Sequence, residues 1–548
     1  MNGKEIADGI RSCVEGEVRN DEATLIANST DASLFSVRPA VVVAPKNEKE
    51  ACSLVSYIAE VRTKGTACSL TARSAGTDMS GGPLTESIVV SFTEHFNAVG
   101  EVQGDSVEVA PGVYYRDFEK VTLAKGRLLP SYPASRDLCT VGGMVNNNSG
   151  GERSLVYGKT ANFVEVLSVV LRDGKVHQFK KITLAELEEK KKETGLGGEI
   201  YKKMHELIRS NAALIKKAKP KVSKNSAGYA LWDVLDEESG TFDLTRLLVG
   251  SQGTLGLTTS IRFRLVQPKA FRRMLVISLK NLDHLPDIIE RVLRFHPETF
   301  ESYDNHTFRV AMKFLPSILR RVLRGNLIIA GLHLIPAAWS IITGGLPALV
   351  LLVEFTDDDE AVASKQAKEA EAALADLPIR TRVTGSTAEA NAFLTIRRES
   401  FDLLRKHVRG MRTAPFIDDF VVPPAVLHEF FPKLHTILES AKFVYTITGH
   451  VGDGNFHIIP LMPIHDPRLA TLIPDIGGKV YDLVLAYGGS ITGEHNDGLI
   501  RTPYLEQQFG KEVCALFRQT KEIFDPDTLF NPGKKVDGSL SYALSHLS

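Results

Sequence analysis

Three glycine-rich segments limit what the first half of this chain can fold into. Arg73-Ser74-Ala75-Gly76-Thr77-Asp78-Met79-Ser80-Gly81-Gly82 follows a short apolar stretch and precedes a strand-like run. Residues 139–151 carry two glycine pairs and three asparagines, and Gly250-Ser251-Gln252-Gly253-Thr254-Leu255-Gly256 is the third segment. Glycine and small polar residues let successive backbone N–H groups converge on a pyrophosphate with no side chain in the way. The second segment also suits close backbone approach and amide recognition of a flat heteroaromatic ring. None of the three is a GxGxxG fingerprint, and the chain has no GK[ST] phosphate loop, so a nicotinamide or nucleoside triphosphate site lacks support.

Around these segments the pattern is mixed. Residues 40–44, 88–92 and 106–109 read as short β-branched strands, and 47–63 as a helix with Ala51, Leu54, Val55 and Ile58 on one face. The lysine- and glutamate-rich run 183–221 reads as a solvated helical surface. Strands are expected at 247–249 and 260–264. Pro268 and Arg272-Arg273 then mark a boundary, after which 274–279 and 349–353 read as strands and 359–375 as a covering helix. The expected division is 1–267, 268–500 and a closing segment 501–548, in an α+β architecture whose second domain holds an antiparallel sheet.

Residues 325–353 contain no charged side chain, but Pro336, Gly344-Gly345 and Pro347 interrupt them. Just before, Phe314, Leu315, Ile318, Leu319, Val322 and Leu323 form an apolar stripe opposite Lys313, Arg320, Arg321 and Arg324. The insertion 313–345 therefore either lies in a membrane interface or packs on its own domain or a second subunit, the second being favoured. With 65 basic against 66 acidic residues, the chain has no overall field for a nucleic-acid backbone. Cys13, Cys52, Cys68, Cys139 and Cys514 form no CxxC pair, which excludes a zinc ribbon or a cluster held by this chain and suggests a reducing compartment. The polar start, Met1 to Ile10, reads as no secretory leader, so the expected location is cytoplasmic, with peripheral contact on the inner membrane face as the variant.

The second half carries a different chemistry. His450 and His457 bracket Gly452-Asp453-Gly454-Asn455, a composition that favours a turn and lets two imidazoles address one centre. Downstream, Gly493-Glu494-His495 offers a carboxylate as third ligand and a free histidine as base. A two-histidine, one-carboxylate set suits zinc, and iron or manganese equally well.

The run 73–82, Pro133-Ala134-Ser135 leading to Thr140-Val141-Gly142-Gly143, Tyr157-Gly158 and 250–256 together resemble the FAD-binding domain of the vanillyl-alcohol-oxidase and p-cresol-methylhydroxylase superfamily. The stretch His450–His457 with Glu494-His495, and the close Leu529-Phe530-Asn531-Pro532-Gly533-Lys534, resemble the FAD-linked D-2-hydroxyacid dehydrogenases, which include D-lactate and D-2-hydroxyglutarate dehydrogenases and the glycolate oxidase catalytic subunit. The resemblance implies FAD held by Arg73, Ser74, Ala75, Gly76, Thr77, Ser80, Pro133, Ala134, Ser135, Thr140, Gly142, Gly143, Asn146, Ser149, Gly150, Tyr157, Gly158, Gly253 and Asn531. With no histidine in 73–82, attachment through that loop is not expected and FAD is taken as non-covalent.

It further implies His450, His457 and Glu494 as metal ligands, His495 as the proton-abstracting base, and Arg397 or Arg398 as the carboxylate clamp. The implied reaction takes a 2-hydroxy acid to the 2-oxo acid and passes electrons to an external quinone, cytochrome or electron-transfer flavoprotein. Two other readings stand beside it: a non-catalytic flavin-binding subunit of a redox complex, and a metal-independent sugar or aldonolactone oxidase. The chain departs from many relatives at Asn496-Asp497, where they have glycine and isoleucine, and at Ile459, where hydroxyglutarate enzymes carry a polar residue.

Overall fold

The computed structural model describes residues 3–305, 347–387, 389–391, 393–394, 397, 411–463 and 466–548. The first sheet contains β1 (Glu17–Arg19), β2 (Val41–Ala44), β3 (Leu70–Arg73) and β4 (Ile88–Ser91) in the order β1-β2-β4-β3. Strands β2 and β3 both run parallel to β4, and a parallel arrangement needs a crossover. Helix α1 (Glu48–Thr63) occupies the stretch between β2 and β3: Asn47 caps it by accepting from Glu50 N, and its stripe of Ala51, Leu54, Val55 and Ile58 is fully buried.

The second sheet is antiparallel, with β5 (Ser106–Val109), β6 (Val164–Val170), β7 (Val176–Lys180) and β8 (Leu257–Arg264) in the order β5-β8-β6-β7. Between β5 and β6 the second glycine-rich segment is not a loop: it folds into α2 (Val141–Asn147), capped by Thr140 Oγ1 accepting from Gly143 N. A Cβ on Gly142 would stand 2.5 Å from Pro111, which is why that first turn must be side-chain-free. The run 183–221 forms three helices, the first opened by a Thr183–Glu186 capping box. Residues 247–249 are not a strand. Thr245–Leu248 is a helical turn whose entry is fixed by Asp243 accepting from Thr245 N and Oγ1. A short apolar run looks the same in either conformation.

The third sheet dominates the second domain. It comprises β9 (Phe271–Leu279), β10 (Thr299–Asp304), β11 (Leu349–Asp357), β12 (Arg380–Val383), β13 (Met411–Thr413), β14 (Phe420–Val421), β15 (Val444–His450) and β16 (Asn455–Pro463). The order is β12-β9-β11-β10-β15-β16-β13, with β14 also on β16, and every pairing is antiparallel. Helices α3 (Leu285–Leu293), α4 (Glu360–Ala372) and α5 (Leu427–Ser440) cover it. Helix α4 buries only alanines, Ala363, Ala367 and Ala370, and such a small-residue face permits close approach to β9 and β11. The α+β class and the antiparallel sheet of the second domain expected from the sequence are those observed. Among the described residues no helix is long and apolar enough to cross a membrane, and the insertion 313–345 lies wholly outside them.

Helix α6 (Leu505–Phe524) leads the chain back to the first domain. Leu70 N donates to Leu529 O and Asn531 N to Leu70 O, so the returning segment adds to the edge of β3.

One buried carboxyl carries a pH consequence. Glu354 on β11 is 3 % exposed, and burial pushes it up to about 7 against the opposing pull of Arg272. A carboxyl that holds its proton in the folded state but releases it when unfolded makes stability fall as pH rises from about 4.5 to 7. We expect Glu354→Gln to stabilise the protein above pH 7, by up to about 3 kcal/mol, and to leave it unchanged near pH 4.5. Urea titrations at both pH values would check this, and a gain that is larger in acid would contradict it.

Candidate active site

A cavity of about 1100 Å³ runs along the seam between the two domains. That exceeds the ~300–1,000 Å³ of ordinary small-ligand pockets and suits an extended cofactor plus a small substrate. Ser74, Ala75, Gly76 and Thr77 line it from the first glycine-rich segment. Pro133, Ala134, Ser135, Thr140, Gly142, Gly143, Asn146, Ser149 and Gly150 line it from the region around the second, and Gly253 from the third. A wall of backbone and small side chains is what a flat cofactor lying against the chain requires. Arg397, His450, His457, Glu494 and His495 line the same cavity.

Five expected residues do not line the cavity. Arg73 donates to Thr30 O, and Ser80 is buried on Asp78 and Gln252. Asn531 Nδ2 donates to Gly82 O and Gln252 O, tying the first glycine-rich segment to the third. Tyr157 and Gly158 end a short helix, with Gly158 at φ 71°. Arg398 lies outside the described residues.

The hairpin β15–β16 explains why the two histidines converge. Thr448 pairs with His457 and His450 with Asn455, so side-chain alternation puts Thr448, His450, His457 and Ile459 on one face. Ile447, Phe456 and Ile458 take the other face and join the apolar core. At the tip, Gly454 has φ 67°, and a Cβ there would meet Val422 O at 1.9 Å. The hairpin presents both Nε2 atoms to one carboxylate oxygen: Glu494 Oε1 is 3.1 Å from His450 Nε2 and 3.4 Å from His457 Nε2. Their Nδ1 atoms are engaged elsewhere, His450 with Glu301 Oε1 at 2.7 Å and His457 with Asp418 Oδ1 at 3.1 Å. A carboxylate behind each imidazole fixes the tautomer that aims Nε2 outward, as metal-ligating histidines require.

Asp419, His457, Glu494 and His495 also bring potential ligand atoms within 4.8 Å of one another. Asp419 has no oxygen to spare, however. It accepts from Thr492 Oγ1 and from the backbone N–H groups of Gly493, Glu494 and His495, and Asn455 Nδ2 donates to it as well. This fully buried carboxylate is the template on which the Glu494-His495 turn is shaped.

The pocket is electronegative. Burial alone would lower the His457 ring, but the Asp418 and Glu494 carboxylates outweigh it and push the ring up to about 10. His495 is likewise raised, burial being outweighed by Asp418 and Asp419. Glu494 is held well below the ordinary carboxylate range, Lys224 and His450 overcoming its burial. Such a set gives up its proton to a divalent cation, so the donor chemistry fits a metal. His495 stacks on His457 at 4.8 Å between centroids and donates through Nδ1 to Asp418 Oδ2 at 2.7 Å, leaving Nε2 for the cavity. Arg397 pairs with Glu301, the carboxylate that also orients His450.

Sequence reasoning missed Asp418, Asp419, Glu301 and Lys224. The acidic pair just before a buried strand was a visible signal. Glu301 and Lys224 gave none, because their partners are 149 and 270 positions away. The departures at Asn496-Asp497 have a structural use. Asn496 Nδ2 donates to Asn147 O and Gly250 O, and Asp497 pairs with buried Lys535 at 2.7 Å.

The profile described as "FAD linked oxidases, C-terminal domain" matches residues 268–535, and "FAD binding domain" matches 39–180. The chain belongs to the FAD-linked oxidases. Membership brings FAD as the cofactor. This FAD-linked oxidase is 27 % identical over 528 residues to D-2-hydroxyglutarate dehydrogenase of Escherichia coli (strain K12), covering 95 % of this chain and 50 % of that protein. The chain thus spans about half the length of the curated D-2-hydroxyglutarate dehydrogenases it matches. It is 26 % identical to glycolate oxidase subunit GlcD of Bacillus subtilis (strain 168), with 91 % and 89 % of the two chains covered. Against D-lactate dehydrogenase of Archaeoglobus fulgidus it is 27 % identical, with 90 % and 91 % covered. Among solved structures, 4-ethylphenol oxidase from Gulosibacter chungangensis superposes with a TM-score of 0.68 at 15 % identity, over 98 % of this chain and 97 % of that one, and so shares the fold.

Proposed function

We propose that the protein is an FAD-dependent dehydrogenase that converts a D-2-hydroxy acid to its 2-oxo acid and passes the electrons to an external quinone, cytochrome or electron-transfer flavoprotein. The observation that carries this reading is the convergence of His450, His457 and Glu494 beside His495 in the cavity lined by the flavin-domain loops. The relatives that match nearly end to end bear the names of a glycolate oxidase subunit and a D-lactate dehydrogenase.

FAD, held without a covalent bond, supplies a two-electron acceptor. A divalent cation held by His450, His457 and Glu494, zinc by donor type, supplies Lewis acidity toward the substrate hydroxyl. The chain's own residues do the rest. Arg397, which lines the cavity, takes the acid's carboxylate in this reading, since a guanidinium fork matches its two oxygens. His495 accepts the hydroxyl proton at Nε2, its Nδ1–H remaining on Asp418. Thr413, Thr448 and Ile459 border the same space. Ile459 offers no donor to a second carboxylate, which favours monocarboxylic acids at that point.

Anaerobic mixing of the yellow protein with D- and L-acids should bleach the flavin with a D-acid alone. Treatment with a chelator should abolish bleaching without releasing FAD, and added Zn²⁺ should restore it. Equal bleaching by chelated protein would refute the metal-dependent reading.

A further inference from the structure

Behind the catalytic turn lie three lysines from distant parts of the chain, Lys224 and Lys535 buried and Lys159 half-buried. Lys159 Nζ donates to Gly493 O, Lys535 pairs with Asp497, and Lys224 Nζ reaches Glu494 itself. Lys224 is 2 % exposed and sits 3.2 Å from Glu494 Oε2 and 3.1 Å from Asp453 Oδ2. Glu494 is therefore divided between two environments, with Oε1 facing both imidazole Nε2 atoms and Oε2 held by an ammonium. The far side of Oε2 is closed as well, since a Cβ on Gly150 would stand 2.8 Å from it.

A carboxylate beside a divalent cation can bind through one oxygen or two. Catalytic sites of this donor type depend on positions kept open for substrate, and a bidentate carboxylate would fill one of them. We propose that Lys224 is a positioning residue that confines Glu494 to coordination through Oε1, keeping a position on the cation free for the hydroxy acid's oxygens. This rests on the reading that His450, His457 and Glu494 hold a divalent cation. Lys224 is fit for the task by position: its ammonium sits between Asp453 Oδ2 and Glu494 Oε2, 3.1 and 3.2 Å away. The lock comes from the segment between the flavin-domain helices and strand β8, so it also makes the geometry of the centre depend on how the two domains meet.

The test uses the full-length, FAD-loaded protein with Co²⁺ in place of the native cation, because visible Co²⁺ absorption weakens as coordination number rises. Oxalate, which presents a similar pair of oxygens, serves as the substrate mimic. In Lys224→Met the Co²⁺ bands should weaken, and oxalate affinity should drop by on the order of tenfold, as removal of such a supporting partner commonly does. Asp453→Asn leaves Lys224 on Glu494 and should keep both the bands and the affinity. Lys224→Arg should restore most of the loss.

Removing the lysine strands two buried carboxylates. If Lys224→Met therefore fails to hold FAD, the charge-balanced Lys224→Met/Asp453→Asn protein carries the same expectation, and its failure to hold FAD as well would mark Lys224 as structural and overturn the proposal. Unchanged bands with oxalate affinity within about threefold of wild type, or an equal loss in Asp453→Asn, would overturn it too. Wild-type protein that takes up no Co²⁺ would refute the metal reading itself; Co²⁺ uptake by wild type with no spectral change in the variant would refute only the role of Lys224.

Discussion

His495→Ala should lower the rate of anaerobic flavin reduction by about 10²–10⁴-fold, the usual range for loss of a positioned general base, while FAD and cation stay bound. The retention follows from geometry. His495 is held through Nδ1 on Asp418 and by stacking on His457, and its Nε2 faces the cavity, whereas the proposed ligand atoms belong to His450, His457 and Glu494. Added imidazole should recover part of the rate, because a small base can enter the space the ring vacates. A merely structural role for the ring would show no such rescue. If the variant with FAD and cation bound reduced its flavin at the wild-type rate, proton abstraction at His495 would be excluded.

The sequence made the site legible wherever chemistry was written in consecutive residues. His450 and His457 stand seven apart across a glycine-rich turn, and strand alternation alone puts both on one face once the hairpin is granted. Helix α1 and strands β9 and β11 were readable for the same reason: their period is local. The supporting layer was not readable, because its partners meet only through the tertiary fold. Glu301 comes from β10 and Lys224 from a segment before β8, and nothing local marks either as the neighbour of a proposed metal ligand. Two segments differ in local conformation rather than topology. Residues 141–147 of the second glycine-rich segment form a capped helix, and Thr245–Leu248 forms a helical turn where a strand was expected at 247–249, with Asp243 accepting from Thr245 N and Oγ1 at its entry. Asn531 illustrates a third kind of difference. Its amide is spent on Gly82 O and Gln252 O, so it shapes the flavin wall from behind without lining it.

Asp418→Asn should be nearly as damaging as loss of the base, although the side chain never faces the cavity wall. One carboxylate accepts from two imidazoles, Oδ1 from His457 at 3.1 Å and Oδ2 from His495 at 2.7 Å. An amide of the same shape can accept at one end only, and its NH₂ must face the other ring. That ring then has to turn Nδ1 into an acceptor and place its proton on Nε2. If the ring is His457, Nε2 can no longer ligate; if it is His495, Nε2 can no longer take a proton. Either outcome removes the proposed chemistry, and a comparable tautomer error in a serine-protease triad costs about 10⁴-fold. Flavin reduction should therefore fall by at least about 10²-fold, with cation affinity down by about 10–100-fold if His457 is the ring affected. Nitrogen NMR of the histidine rings in the variant would report which tautomer changed. Unaltered tautomers at both rings, together with wild-type reduction, would show that Asp418 is not the residue that orients them.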